Sequence, residues 1–176
     1  RPKDKPFLMF LSHKAVHGPF NPAHRDTTRF ADLPIPDFDA HKGTIRNKAP
    51  WVQNRQQGEV EAIIQDYRQT LASVDDGLGR LLDTLDSLEL GENTAVIYVG
   101  DNGYMMGEHG GLWDKRAAFE PSIRVPILMR YPAQIKAGRV DDKMVLNLEL
   151  IPTLLDLARV PATPDLQGMS WLGDGP

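Results

Sequence analysis

Thr94-Ala95-Val96-Ile97-Tyr98-Val99-Gly100-Asp101-Asn102-Gly103 passes from an apolar run into a polar, glycine-flanked turn. A short apolar run with β-branched and aromatic residues, closed by turn residues, reads as a buried strand. Upstream, from Glu59 to Leu88, apolar residues recur at spacings of three and four: Val60, Ile63, Ile64, Tyr67, Leu71, Val74, Leu78, Leu81, Leu82, Leu85 and Leu88. That spacing predicts one long amphipathic helix, with Gly91 as its stop. Downstream, Val125-Pro126-Ile127-Leu128-Met129-Arg130 predicts another strand, and Asn147 is placed to cap a last helix through Ala158, with Pro152 near its first turn. At the other end, Phe7-Leu8-Met9-Phe10-Leu11 reads as a further buried strand, closed by Ser12-His13. Strand, helix, strand, loop, strand, helix is an α/β order, and buried strands of this kind predict a largely parallel sheet. Ligands of such sheets sit beyond the carboxyl ends of the strands, where the polar residues after Leu11 and Val99 fall.

Composition narrows the classes of function. The 176 residues carry 24 acidic and 20 basic side chains, a net charge of −4, which argues against a nucleic-acid partner. There is no Lys/Arg run for an anionic membrane surface, and no apolar stretch approaches the roughly 20 residues of a membrane span. Cysteine is absent, which excludes disulfides, thiolate metal sites and a cysteine nucleophile within these residues. The remaining donors are oxygens and five histidines, a set that favours hard cations such as calcium or magnesium over zinc. Residues from about 12 to 58 are rich in Pro, Asp, His and Arg without a clear period, and a loop of that length in a compact domain is usually functional.

Three clusters carry chemistry. Asp101 and Asn102 offer a carboxylate and an amide carbonyl side by side, a hard-cation pair, although Asn-Gly is also a common turn dipeptide. Ser12-His13-Lys14-Ala15-Val16-His17-Gly18-Pro19 holds two histidines and a lysine that could bind an oxyanion and donate a proton to a leaving group; a solvated loop is the alternative. Glu108-His109-Gly110-Gly111-Leu112-Trp113-Asp114-Lys115 leads to Glu120 and Arg124. In that stretch Lys115 offers a point charge to an anion and Arg124 a fork for a carboxylate, against the alternative of plain surface charge. Together the clusters suit metal-assisted attack on a sulfate or phosphate ester.

Gly100-Asp101-Asn102-Gly103-Tyr104-Met105-Met106-Gly107-Glu108-His109-Gly110, followed by Lys115, Glu120, Arg124, Val125 and Pro126, resembles the type I sulfatases of the alkaline-phosphatase-like superfamily. Lys5 through Pro19 is similar to the family's strand and His-x-Pro loop. Ser73-Val74-Asp75-Asp76-Gly77-Leu78-Gly79 resembles its long helix, and Leu150-Ile151-Pro152-Thr153-Leu154-Leu155-Asp156-Leu157-Ala158 its Pro-Thr-Leu-Leu-Asp-Leu helix. The residues around 25–55 match least. The resemblance implies an alkaline-phosphatase-like, largely parallel sheet flanked by helices, and a calcium-dependent sulfuric ester hydrolase acting on a sulfated sugar or aryl sulfate. Asp101 and Asn102 would be calcium ligands. Lys115 would grip the sulfate, with His17 as sulfate contact or acid to the departing alcohol. Lys14 and His109 would lie near the substrate without an assigned step. Glu120 and Arg124 would form a scaffold pair behind Lys115, and Asp75 and Asp76 would serve structure.

One departure stands against these matches. The family makes its formylglycine nucleophile in a Cys/Ser-x-Pro-x-Arg motif preceded by an acidic pair, and no serine here is followed by x-Pro-x-Arg. Residues 1–176 are therefore expected to be the C-terminal part of a catalytic domain, inactive alone, with the nucleophile and a further small subdomain supplied elsewhere. Within the superfamily a phosphodiesterase or phosphonate monoester hydrolase is the rival reading; outside catalysis it is a binder of sulfated carbohydrate. The family implies a periplasmic, extracellular or lysosomal location. Oligomeric state and the particular ester are not written in these residues.

Overall fold

The computed structural model describes residues 5–35 and 60–172. The expected helix start at Glu59 and residues 36–59 of the proline-rich loop lie outside them. The chain divides into two units, Arg1–Gln134 and Ile135–Pro176.

The first unit is built on helix α1, Val60–Ser87. Its apolar spacing buries Ile64, Val74 and Leu85, as the periodicity predicts, and Ala72 is buried with them. The stop differs from the expectation. Glu89, not Gly91, takes the left-handed conformation (φ 56°), and the Leu90 N–H closes back onto the Leu85 carbonyl at 2.8 Å. At Gly91 a Cβ would sit 2.0 Å from an Asp86 carboxylate oxygen, so any other residue there would displace the Asp86 side chain.

Strand β1, Val96–Val99, pairs with a later strand, Ile127–Arg130. The register runs from Val96 opposite Arg130 to Val99 opposite Ile127, and it is antiparallel. Between them the chain forms β2, Met105–Met106, the single turn α2, Glu108–Gly111, and β3, Trp113–Asp114. A second single turn, α3, spans Glu120–Ile123, which makes the strand at Ile127–Arg130 β4. β2 and β3 pair as an antiparallel hairpin, Met105 opposite Asp114 and Met106 opposite Trp113. Met105, Leu112 and Ala117 form the small core beneath it, with Phe119 packed against them.

The α/β class holds, and two expectations change. The strand pairs among the described residues are antiparallel, because α3 returns the chain against the strand it left. Among the described residues Phe7–Leu11 forms no strand, and its side chains are exposed, Leu8 at 79% and Phe10 at 86%. A strand exists through its partner's hydrogen bonds, so apolar composition alone does not produce one.

The second unit holds α4, Leu150–Leu157, entered through a 3-10 turn at Asn147–Glu149. Asn147 lies inside that turn and is not the expected cap; the Glu149 carboxylate instead accepts the Leu146 N–H at 3.1 Å. Thr153, fully buried, bonds back to the Glu149 carbonyl (2.8 Å) and accepts the Trp171 N–H (3.0 Å). Among the described residues no helix is long and apolar enough to cross a membrane.

Candidate active site

The Gly100–Gly103 turn is held by backbone at both ends. The Gly100 N–H donates to the Pro126 carbonyl at 3.2 Å, one rung beyond the β1–β4 register, and the Gly103 N–H donates to the Ser122 carbonyl at 2.8 Å. A Cβ on Gly103 would lie 2.0 Å from the Pro121 carbonyl oxygen, so no other residue fits without moving α3. This explains in physical terms why the segment from Glu120 to Pro126 accompanies Asp-Asn-Gly: it is the platform on which the turn rests.

The hairpin then sets Lys115. Gly107, at φ 107°, makes the left-handed bend that closes it, and its N–H donates to the Leu112 carbonyl at 2.9 Å. The Glu108 carboxylate accepts the Met106 N–H at the same bend. Met105 opposite Asp114 carries Lys115 to the side of Tyr104, two residues from Asn102, and the lysine side chain reaches the rest of the way. Lys115 Nζ donates to Asn102 Oδ1 at 3.2 Å although 13 positions separate them. Asn102 Nδ2 is committed to the Gly103 carbonyl at 2.7 Å, which leaves Oδ1 to face the lysine. A cation and a hard oxygen donor thus share one place, as an anion-plus-metal site requires.

Asp114, 6% exposed, secures the lysine from behind. One carboxylate oxygen accepts the backbone N–H of Lys115 (2.7 Å), that of Arg116 (3.1 Å) and Arg116 Nε (3.0 Å). Burial alone would push its carboxyl up; the hydrogen bonds from the Arg116 side chain and the two backbone N–H groups outweigh it and hold it at about 2. This residue was not singled out from the sequence. Its signal was available as a lone acid at a core-facing strand position, where a carboxylate persists only if its charge is satisfied.

His17 lies in the other cluster. Its N–H donates to the Lys14 carbonyl at 2.9 Å, and its Nδ1 stands 3.2 Å from Lys14 Nζ and 2.9 Å from the Gly18 carbonyl. Nδ1 has one role at a time: protonated it donates to Gly18, deprotonated it accepts from Lys14. Lys14 and His17 are therefore brought together, as are Asn102 and Lys115. His109 takes a different place, its ring half-buried and stacked on Phe119 at 4.2 Å and 26°. Arg124 and Glu120 do pair, through one contact of 3.3 Å rather than a fork, and both side chains are largely exposed. The Asp76 carboxylate meets Arg29 at 3.1 Å.

Calcium takes about six to eight oxygen ligands. Asp101 and Asn102 fit it in kind and supply part of that number; among the described residues no group of three or more His, Asp or Glu side chains assembles a metal site.

The sulfatase family model matches residues 1–160. An N-acetylglucosamine-6-O-sulfatase of Bacteroides thetaiotaomicron is 38% identical over 129 residues, covering 73% of this chain and 22% of that protein. Among solved structures, an enzyme in complex with its substrate D-glucosamine-2-N,6-O-disulfate is 39% identical with a TM-score of 0.60, over 63% of this chain and 22% of its own. A structure from the glycosaminoglycan metabolism of Bacteroides thetaiotaomicron, 23% identical, reaches a TM-score of 0.76 over 97% of this chain and 34% of its own, a likeness of fold. The chain spans about a fifth of the curated relative's length. With the family model covering nearly all of it and the hairpin and turn built as described, this chain belongs to the sulfatase family.

Proposed function

We propose that the protein containing these residues hydrolyses sulfate esters of sugars, and that this chain contributes the sulfate-gripping lysine, the leaving-group acid and two of the metal ligands. The reading rests on the 3.2 Å approach of Lys115 Nζ to Asn102 Oδ1, which gathers positive charge and hard oxygen where a sulfate would lie. Lys115 stabilises the charge that builds on the sulfate oxygens as the ester bond breaks. Asp101 and Asn102 would hold calcium, which when bound would offset charge on those oxygens. His17 with both ring nitrogens protonated donates the Nε2 proton to the departing alcohol oxygen and becomes neutral, while its Nδ1–H is held by the Gly18 carbonyl. The attacking group comes from a formylglycine segment outside these 176 residues, in an exported protein. His109 borders the substrate from its stack on Phe119.

The names of the similar proteins support an aminosugar 6-O-sulfate as substrate. The full-length protein, given calcium, is expected to release sulfate from 6-O-sulfated N-acetylglucosamine and to lose that activity on chelation. Turnover of phosphate or phosphonate esters in its place, or indifference to calcium removal, contradicts the proposal.

A further inference from the structure

The loop that carries His17 is strapped to α1 by side chains, and the strap has a buried acid at its centre. Asp26, 1% exposed, accepts the Ser73 hydroxyl at 2.6 Å on one oxygen and Arg29 Nη1 at 3.3 Å on the other. Arg29 is gripped in turn by both oxygens of Asp76 at 3.1 Å. Gln69 Nε2 donates to the carbonyls of Thr27 and Arg29, Gln65 Nε2 to that of Arg29, and Arg68 to those of Leu33 and Pro34. These residues lie at helical spacing on one face of α1. Nearer the histidine, Phe20 packs edge-on against Tyr67 of the same helix, ring centroids 5.6 Å apart. His17 is thus three residues from one anchor and nine from the next, with no regular secondary structure of its own to fix it.

We propose that Asp26 is a positioning residue for the leaving-group acid: through Ser73 and Arg29, and beside the separate Phe20–Tyr67 contact, it holds the His17 loop on α1, and it touches no substrate. A carboxylate suits the task better than a neutral group because it accepts a hydroxyl and a guanidinium at once, and the Ser73 hydrogen bond keeps it ionised below the usual carboxylate range. The inference rests on His17 acting as the acid.

The test compares two substrates of the full-length enzyme that differ in their need for that acid. A sugar 6-O-sulfate leaves as a poorly acidic alcohol, whereas 4-nitrophenyl sulfate leaves as a stable phenolate. Asp26→Ala is expected to lower kcat on the sugar sulfate by about 10-fold and on the aryl ester by less than about twofold, with KM for the aryl ester unchanged. Asp26→Asn, which keeps the acceptor without the charge, restores part of the loss. Ser73→Ala, the milder change in case Asp26→Ala does not fold, shows the same selectivity at smaller size. Equal losses on both esters, or a loss that tracks the unfolded fraction, overturn the proposal by making the strap merely structural. His17→Ala is the control: no leaving-group selectivity there refutes the acid role and the inference with it, while selectivity in His17→Ala without it in Asp26→Ala or Ser73→Ala refutes the inference alone.

Discussion

The two halves of the candidate site are held by different means. The Asp101-Asn102 turn and Lys115 are fixed by backbone: a hairpin register, a left-handed glycine, and a glycine pressed against the Pro121 carbonyl. The His17 loop is fixed by side chains reaching from α1 to loop carbonyls and to one buried carboxylate. Backbone devices tolerate little variation and leave short motifs of fixed spacing. Side-chain straps spread over distant positions and use residue types, Gln, Arg, Ser and Asp, that are ordinary on any helix surface. The first half is therefore stiff and brittle under substitution, and the second is weakened in small steps.

That contrast can be broken at several places in the full-length enzyme. The largest change in stability is expected from Gly103→Ala, about 1–3 kcal/mol by chemical denaturation, since its Cβ has no room beside Pro121. A loss below a few tenths of a kcal/mol means that α3 yields and the platform is not rigid. Gln69→Ala on the strap removes bonds to two carbonyls and is expected to cost about 1 kcal/mol. A cost matching Gly103→Ala would erase the distinction between the halves.

Asp114 gives a smaller effect, read as a slope. Its carboxyl is lowered from 3.8 to about 2, so its contribution is complete above about pH 4 and is lost as pH falls towards 2. Asp114→Asn should flatten that part of an acid-unfolding curve; an unchanged slope shows that the turn carrying Lys115 does not depend on the charge. Arg124→Ala is expected to change stability by less than about 1 kcal/mol, as an exposed single-contact pair does. A larger loss would make the pair part of the platform.

The same division explains what the sequence reveals. The long helix is legible because its period extends over seven turns and more, and β1 and β4 because apolar runs end at glycine or proline punctuation. The link between Asn102 and Lys115 is legible only as family spacing; its cause is the register of a hairpin whose strands are two residues long, too short to leave a period of their own. Phe7–Leu11 is the opposite case. Its composition is that of a strand, yet strandness is a property of a pair, and no strand forms there among the described residues. Asp26 gave no local signal, for its burial and its bond to Ser73 come from a residue 47 positions away.

The central claim is that Lys115, brought by the hairpin within reach of Asn102, stabilises charge on a sulfate in flight. The most direct measurement is kcat for release of sulfate from 6-O-sulfated N-acetylglucosamine by the full-length enzyme and by its Lys115→Ala variant, at saturating calcium and with folding checked by circular dichroism. A fall on the order of 10²-fold or more in a folded variant is the predicted result. An unchanged kcat would contradict the account.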